Sequence, residues 1–270
     1  MNSLVLFSVF VLGVLALIFG FGLAYAAKVF FVREDERVSL VREQLGSANC
    51  GACSFVGCDD YARAVAAGHA SILACPVISD AARAKIADVM GVKTDFLRAD
   101  KKKAVVLCAG DAKNSRFLYR YDGLKSCEAA ACLSYGGSKQ CRNGCLGEGS
   151  CEAVCKFGAI SVTDGLARVD SGKCTGCGVC VAVCPKKIIA LIPETQNVYV
   201  ACSCAEDAKT VTAACDVGCI GCALCKKTCP PGAVLINGRL AKISADKCVS
   251  CGECVKKCPR KIIHIEKNFI

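Results

Sequence analysis

Cysteine carries the chemistry of this sequence, with 26 cysteines among 270 residues. The stretch from Ser171 to Lys187 holds four of them, at positions 174, 177, 180 and 184, followed by Pro185. Cys-x2-Cys-x2-Cys-x3-Cys-Pro is typical of bacterial [4Fe–4S] proteins, in which three thiolates hold one cluster and the fourth reaches a neighbouring cluster. Disulfides are typical of small secreted domains, and zinc sites usually pair two separate Cys-x2-Cys elements. The run therefore predicts iron–sulfur ligation.

The run occurs in two repeated modules. Complete copies end at Pro230 and at Pro259, and a variant with thiols at 141, 145, 151 and 155 precedes Ser171. A shift of 74 positions maps the first module onto the second, including the flanks CPKKIIALI and CPRKIIHIE. Such a repeat indicates two copies of one folding unit. Short helices are predicted after each third thiol, and strands after the second and fourth thiols.

Crossed ligation assigns two clusters to each module. Glu148 occupies the position that corresponds to Cys222, so the first module lacks one ligand, and Cys141 is predicted to supply it. The predicted sets are Cys141, Cys145, Cys151 and Cys184 (cluster 2); Cys155, Cys174, Cys177 and Cys180 (cluster 3); Cys219, Cys222, Cys225 and Cys258 (cluster 4); and Cys229, Cys248, Cys251 and Cys254 (cluster 5).

A separate group lies upstream, where three close thiols on a glycine-bearing loop are followed by a distant one. Its members, Cys50, Cys53, Cys58 and Cys75, predict one [4Fe–4S] cluster (cluster 1) in a small helical domain, with a zinc site as the alternative. Six cysteines remain. Either they are buried free thiols, or four of them, predicted as Cys108, Cys127, Cys202 and Cys215, form a sixth site. We therefore predict five [4Fe–4S] clusters, or six with this last site, and no catalytic residue.

The amino terminus predicts a membrane anchor. Residues 4–27 carry no charge, and as a helix they would span about 36 Å, enough for a hydrocarbon core of about 30 Å. The alternative is a signal peptide, but no Lys or Arg precedes the apolar run. Lys28, Arg33, Arg37 and Arg42 follow it, which predicts a single-pass protein of the cell membrane with its carboxyl-terminal domains in the cytoplasm. Cluster thiolates also need that reducing compartment.

The formal charge of +10 does not predict a nucleic-acid partner. Five oxidised clusters, each held by four thiolates, add about −10 by charge counting on this ligation. Tryptophan is absent, and no dinucleotide fingerprint or Walker A string occurs. The chemistry predicted is one-electron transfer rather than bond chemistry on a substrate.

The predicted fold class is α+β, with a transmembrane helix, a small helical single-cluster domain and two tandem ferredoxin-like modules. The predicted segments are the anchor at 1–30, a charged linker at 31–43, the single-cluster domain at 44–80, a connecting α/β segment at 81–134, the first module at 135–193, a connector at 194–212 and the second module at 213–270.

This whole arrangement, including GGSKQCRNGCLGEGSC before the first module, resembles the B subunit of Rnf complexes. The resemblance implies a membrane-bound ferredoxin:NAD oxidoreductase that couples electron transfer to sodium or proton transport. It implies reduced ferredoxin as donor, and integral-membrane and flavin-bearing subunits as partners. The string CKFGAI departs from the Cys-Pro-Phe-Asp-Ala-Ile common in that family. Two alternatives are an electron-transfer subunit of a hydrogenase-linked membrane oxidoreductase and a non-enzymatic iron–sulfur storage protein.

Overall fold

The computed structural model describes residues 2–30, 35–93 and 101–266. Parts of the predicted linker and of the 81–134 segment, at 31–34 and 94–100, therefore lie outside the described residues. Helix α1 spans Asn2–Val29. Its residues Val5–Val29 have a mean hydropathy of 2.6, and none is buried in protein. Among the described residues, α1 is the one helix that is long and apolar enough to cross a membrane.

Three helices and one 3-10 turn form a small domain after α1. They are α2 (Glu36–Glu43), α3 (Cys58–Ala66), the 3-10 turn Ile72–Ala74 and α4 (Asp80–Met90). Helix α2 begins inside the predicted linker, and its residue Val41 is fully buried against Tyr61 and Ile86. The Tyr61 hydroxyl donates to the carbonyls of Ser71 and Ile72, at 2.9 and 3.1 Å. These hydrogen bonds hold the segment that leads to Cys75 against α3.

The remaining elements form two similar halves. The first half contains β1 (Lys102–Val106), α5 (Cys127–Ala131), the 3-10 turn Ser134–Gly136, α6 (Ser150–Ala153), β2 (Ile160–Thr163), β3 (Leu166–Val169), α7 (Val179–Val183) and β4 (Ile189–Pro193). The second half contains β5 (Val198–Val200), α8 (Ala208–Ala214), α9 (Leu224–Thr228), β6 (Val234–Asn237), β7 (Leu240–Ile243), α10 (Glu253–Lys257) and β8 (Ile263–Ile265).

Each half has two antiparallel strand pairs. Strands β2–β3 and β6–β7 are hairpins, whereas β1 pairs with β4 and β5 pairs with β8. Strand β1 lies in the predicted 81–134 segment and β5 in the predicted connector. Each is recruited to its module because it pairs backbone groups that β4 and β8 would otherwise expose. Each half also buries its own apolar cluster around these strands.

Four short helices lie around the third thiols, where helices are predicted, and each begins one residue before that thiol. The strand predictions are correct after the fourth thiols and wrong after the second ones. Within the described residues, no strand follows the second thiol of any of the four runs. The three complete runs leave only two residues before the next thiol, which is too short for a strand.

A buried ion pair joins the two halves. Lys103 Nζ on β1 lies 2.6 Å from a Glu266 carboxylate oxygen just after β8, and it also donates to Asn197 Oδ1 at 3.0 Å. The Lys103 side chain is almost fully buried. Breaking such a pair leaves an uncompensated charge, so it favours one relative placement of the halves.

Candidate iron–sulfur sites

The helical domain brings together the predicted ligands of cluster 1. Cys50 and Cys53 lie on the loop before α3, Cys58 opens that helix, and Cys75 follows the 3-10 turn. Burial raises the pKa of the Cys75 thiol, and the neighbouring Cys53 and Cys50 thiols raise it further. Each thiolate makes ionisation of its neighbours less favourable. Metal ligands must be ionised, so these thiols need a bound cation to compensate their negative charge.

The second module brings together both of its predicted sets. One cavity is lined by Cys219, Cys222, Cys225 and Cys258, the set predicted for cluster 4. On the other side of the module, burial raises the pKa of Cys254 to about 11, and Cys229 and Cys248 add to the rise. The remaining member of that set, Cys251, lies on the loop between 248 and 254 and is exposed. In the first set the fourth thiol of one run meets three thiols of the other, and in the second Cys229 lies close to Cys254, as crossed ligation requires.

The first module brings together the predicted cluster 3 set in the same way. Burial raises the pKa of Cys180 to about 11, followed by the effects of Cys177, Cys174 and Cys155. Two backbone amides point at these sulfurs: Ala104 N donates to Cys174 Sγ and Ala159 N to Cys155 Sγ, both at 3.3 Å. Hydrogen bonds to ligand sulfurs are among the factors that set a cluster's reduction potential.

The structure groups the predicted cluster 2 thiols differently in one place. The cavity that holds Cys145, Cys151 and Cys184 is completed by Cys127 rather than by Cys141. Burial raises the pKa of Cys151 to about 12, and Cys145, Cys127 and Cys184 contribute. Cys127 N donates to Ser150 Oγ at 2.8 Å, which holds the start of α5 beside α6. Cys141 is closer in sequence, but its thiol lines a different cavity.

The loop that lacks a thiol keeps the backbone path of its counterpart. Gly147 and Gly221 both have positive φ, at +78° and +67°. A Cβ atom on Gly147 would lie 2.5 Å from Gly165 O, and one on Gly221 would lie 2.7 Å from Arg239 O, the equivalent atom after the shift of 74. Glu148 therefore stands on the same turn as Cys222 and differs from it only in its side chain.

A cavity of about 300 Å³ lies between the two modules. Five cysteines line it: Cys108, Cys141, Cys202, Cys204 and Cys215. Three of them belong to the predicted sixth site, but its fourth member, Cys127, lies in the cluster 2 cavity instead. Sequence reasoning missed Cys141 and Cys204 here, although the shift of 74 that pairs Cys141 with Cys215 was a usable signal. Cys132, the remaining cysteine, is exposed at the end of α5.

Two thiols in this central cavity contact each other directly. A hydrogen bond between the Cys141 and Cys204 side chains lowers the pKa of Cys204 and raises that of Cys141. Within the described residues, no three His, Cys, Asp or Glu side chains converge closely enough to hold a single metal ion. A tetrahedral zinc site requires such convergence, whereas a four-iron cube spreads its thiolates around a larger object. The thiol sets fit the cube better.

The cavities adjoin one another. Cys145 N, in the cluster 2 set, donates to Cys108 Sγ at 3.4 Å, and Cys219 N, in the cluster 4 set, donates to Cys202 Sγ at 3.4 Å. Cys50 of the helical domain is close enough to raise the pKa of Cys177, whose largest shift comes from burial. Cys145 and Cys180 share one core cluster, and Cys108 and Cys202 line one cavity. The thiol sets thus form a series from the helical domain to the second module.

A buried lysine stands beside this series. Lys139 is 2% exposed, and its Nζ donates to Gly110 O at 2.7 Å and to Gly165 O at 2.9 Å. Burial raises the pKa of Cys145, and the positive charge of Lys139 works against that rise. The lysine therefore stabilises negative charge on the adjoining cluster set.

Three family models match the chain in the regions of these thiols. They describe an Fe-S cluster at residues 45–77, a 4Fe-4S binding domain at 167–190 and a 4Fe-4S dicluster domain at 218–262. The predictions of iron–sulfur clusters and of ferredoxin-like domains are thereby confirmed, although the models do not fix the number of clusters.

Whole-chain relatives are similar over 92% of this sequence. The B subunit of the Na(+)-translocating ferredoxin:NAD(+) oxidoreductase complex of Acetobacterium woodii is 47% identical, with 74% of its length covered. The B subunit of the ion-translocating oxidoreductase complex of Methanosarcina acetivorans is 36% identical over 93% of its length. The corresponding proton-translocating subunit of Clostridium ljungdahlii is 38% identical over 87% of its length. The chain therefore belongs to the family of Rnf complex B subunits, which are iron–sulfur electron-transfer subunits of a membrane-associated complex.

Proposed function

We propose that this chain takes electrons from a reduced ferredoxin at its second module and relays them to membrane partners next to α1. In the complex we propose, this transfer links ferredoxin oxidation to NAD reduction and to the transport of sodium ions or protons. The names of the relatives support that reaction. The observation that carries the relay is the series of thiol sets between the second module and the helical domain.

Five [4Fe–4S] clusters are proposed in this relay, each one accepting and passing a single electron. The proposed ligands are Cys50, Cys53, Cys58 and Cys75; Cys127, Cys145, Cys151 and Cys184; Cys155, Cys174, Cys177 and Cys180; Cys219, Cys222, Cys225 and Cys258; and Cys229, Cys248, Cys251 and Cys254. The cavities and the mutual effects of the thiols on their pKa values support these sets.

Electrons are proposed to arrive at the exposed edge of the second module. Cys222 and Cys251 are both exposed there. The last turn of α9 adds Lys226 and Lys227, and the last turn of α10 adds Lys256 and Lys257. Residues 213–270 carry ten Lys or Arg and four Asp or Glu, against seven and four in residues 135–193. Complementary charge steers association, so this edge favours an acidic redox protein such as a ferredoxin.

The proposed exit is cluster 1. Helix α1 ends at Val29, and the first cluster 1 ligand, Cys50, follows after a short charged stretch and α2. A membrane helix at this point keeps the cluster at high effective concentration near a membrane partner. The basic residues Lys28, Arg37 and Arg42 support a cytoplasmic location for the cluster domains. Ala16, Gly20 and Ala24 recur at a four-residue spacing on α1, which favours close packing against another membrane helix.

The relay is tested by removing only its proposed exit. The variant Cys50→Ala/Cys53→Ala of the full chain should still be reduced by ferredoxin, because the other clusters are intact. Added to membranes that lack the native chain, it should fail to restore ferredoxin-driven NAD reduction, since one missing cluster interrupts a series of one-electron carriers. Cys132→Ala is the matched control and should restore full activity.

Two results would contradict the proposal. Full restoration by the Cys50→Ala/Cys53→Ala variant would remove cluster 1 from the path. A wild-type chain whose clusters ferredoxin cannot reduce, but which another donor reduces rapidly, would identify a different donor.

A further inference from the structure

The cavity between the modules has the donors of a further metal site. Its walls combine two thiols from the first half, Cys108 and Cys141, with two from the second half, Cys202 and Cys215. Cys215 is buried, and the other three are partly buried. Four thiols facing one internal space are unusual for free cysteines, which normally pack singly among apolar side chains.

The four thiols are related by the internal repeat. Ala104 lies opposite Leu191, and Val198 lies opposite Ile265, the residue equivalent to Leu191. Cys108 and Cys202 each come four residues after these paired positions. Each sulfur accepts a hydrogen bond at 3.4 Å from the amide of a ligand in the adjoining cluster set. Such equivalence indicates one shared environment at the interface rather than two unrelated thiols.

The internal repeat also relates the other two thiols, Cys141 and Cys215. A shift of 74 positions maps Cys141 onto Cys215, and both line the cavity. Basic side chains at equivalent positions bind the loops around them: Lys186 Nζ donates to Arg142 O at 2.7 Å, and Arg260 Nη2 donates to Cys215 O at 2.6 Å. Positive charge beside both loops stabilises thiolates in the cavity.

The fifth thiol, Cys204, has no cysteine as its counterpart. It comes two residues after Cys202, as Gly110 comes two residues after Cys108. A Cβ atom on Gly110 would lie 3.3 Å from Cys215 Sγ, and Cys204 hydrogen-bonds with Cys141. Position 204 thus lies next to a cavity thiol, as position 110 does. Because the repeat gives it no cysteine partner, Cys204 is not part of the repeat-related set of four thiols.

We propose that Cys108, Cys141, Cys202 and Cys215 hold a sixth [4Fe–4S] cluster, which bridges the two modules. The metal site is inferred from the cavity and its thiols, whereas its role as a bridge rests on the proposed function. In that role it takes one electron from the reduced cluster 4 beside Cys202 and passes it to the cluster 2 beside Cys108. Each step reduces one cluster by one electron and oxidises its neighbour by one, and the electrons come from the reduced ferredoxin-type donor.

Iron content of the full chain tests the metal site without any assay of the complex. The wild type, purified anaerobically in detergent, should contain about 24 iron atoms, at four per cluster. The double variant Cys108→Ala/Cys202→Ala removes one ligand from each half and should lose about four iron atoms while the other clusters remain. The matched control Cys132→Ala should keep the wild-type content.

Single variants distinguish the fifth thiol. Cys204→Ala should keep all iron, whereas Cys141→Ala should lose the bridging cluster or convert it to a three-iron form visible by EPR. Loss of iron in Cys204→Ala but not in Cys141→Ala would overturn the ligand set. A wild-type content of about 20 iron atoms would overturn the site.

The bridging role has a separate readout. In the Cys108→Ala/Cys202→Ala variant, ferredoxin should reduce clusters 4 and 5 at the wild-type rate but clusters 2 and 3 at least ~100-fold more slowly, as followed by rapid-freeze EPR. If ferredoxin reduces no cluster even in the wild type, the proposed donor is wrong and the iron count is unaffected. Equal reduction rates for all clusters in the variant would overturn the bridge.

Discussion

The two modules arrange their thiol sets alike but obtain one thiol differently. In the second module, all four thiols of the cluster 4 set come from its own two runs. In the first module, Glu148 replaces the thiol, and Cys127 on α5 enters the equivalent cavity from outside the runs. The difference shows that the repeat preserves the position of the cavity, whereas the sequence position of a ligand can change.

Replacing Cys127 should have the largest effect. Cys127→Ala should remove cluster 2 or convert it to a three-iron form, because Cys127 completes the cavity of Cys145, Cys151 and Cys184. In a series of carriers this should reduce electron delivery to cluster 1 by at least ~100-fold. EPR-monitored redox titration of the purified chain would show the loss of one signal.

Cys141→Ala is the informative comparison for this prediction. It should leave cluster 2 intact, since Cys141 lines the central cavity instead. The opposite pattern, with cluster 2 lost in Cys141→Ala and kept in Cys127→Ala, would restore the assignment made from sequence.

A second experiment tests whether the two loops are interchangeable. Adding Glu148→Cys to Cys127→Ala should restore cluster 2, because Gly147 and Gly221 give both loops the same turn. Iron content should return to the wild-type value, and about four iron atoms should be regained. Glu148→Ser in the same background is the control that cannot supply a thiolate. Failure of the cysteine to restore the cluster would mean that the loops differ in more than this side chain.

The sequence predicts the metal chemistry and the helices at the third thiols. Those features are local, or follow from a repeat of 74 positions, so spacing alone specifies them. Even the family resemblance follows from such local strings.

Cys127, which sequence reasoning groups with Cys108, Cys202 and Cys215, comes from a segment outside the runs. It reaches the cavity of Cys145 because Cys127 N donates to Ser150 Oγ, and Cys108 reaches the central cavity because β1 pairs with β4. Those are tertiary contacts between residues far apart in the chain, and no spacing rule encodes them. Cys141 shows the converse, since nearness in sequence to Cys145 does not place both thiols in one cavity.

The modules also differ in the charge beside their clusters. Lys139 is buried next to Cys145, whereas the equivalent position in the second module is Ala213. Lys139→Met should lower the reduction potential of cluster 2 by on the order of 50–100 mV, as Coulomb's law gives for one charge at an effective dielectric constant near 20. Redox titration would measure this. Lys113→Met removes an exposed charge and should change the potential far less; equal shifts would contradict a local effect.

The smallest expected effect concerns one residue pair on equivalent strand pairs, β1–β4 in the first module and β5–β8 in the second. Val105 lies opposite Ala190 in the first module, but Tyr199 lies opposite His264 in the second, with ring centroids 5.9 Å apart. Burial lowers the pKa of His264, and Arg168 on β3 lowers it further. The unfolded chain therefore binds a proton more readily than the folded one, so the second module should lose a little stability as the pH falls below about 6.5, the ordinary histidine pKa.

This last effect can be measured at the residue itself. Histidine C2–H exchange, followed by mass spectrometry across a pH series, reports the pKa of His264 without unfolding a cluster protein. Arg168→Gln should raise that pKa, because it removes the positive charge that opposes protonation. Lys113→Gln, an exposed change of the same charge in the same half, should leave it in place. A His264 pKa above the ordinary value, or one that does not respond to Arg168→Gln, would show that β3 of the first module does not act electrostatically on β8 of the second.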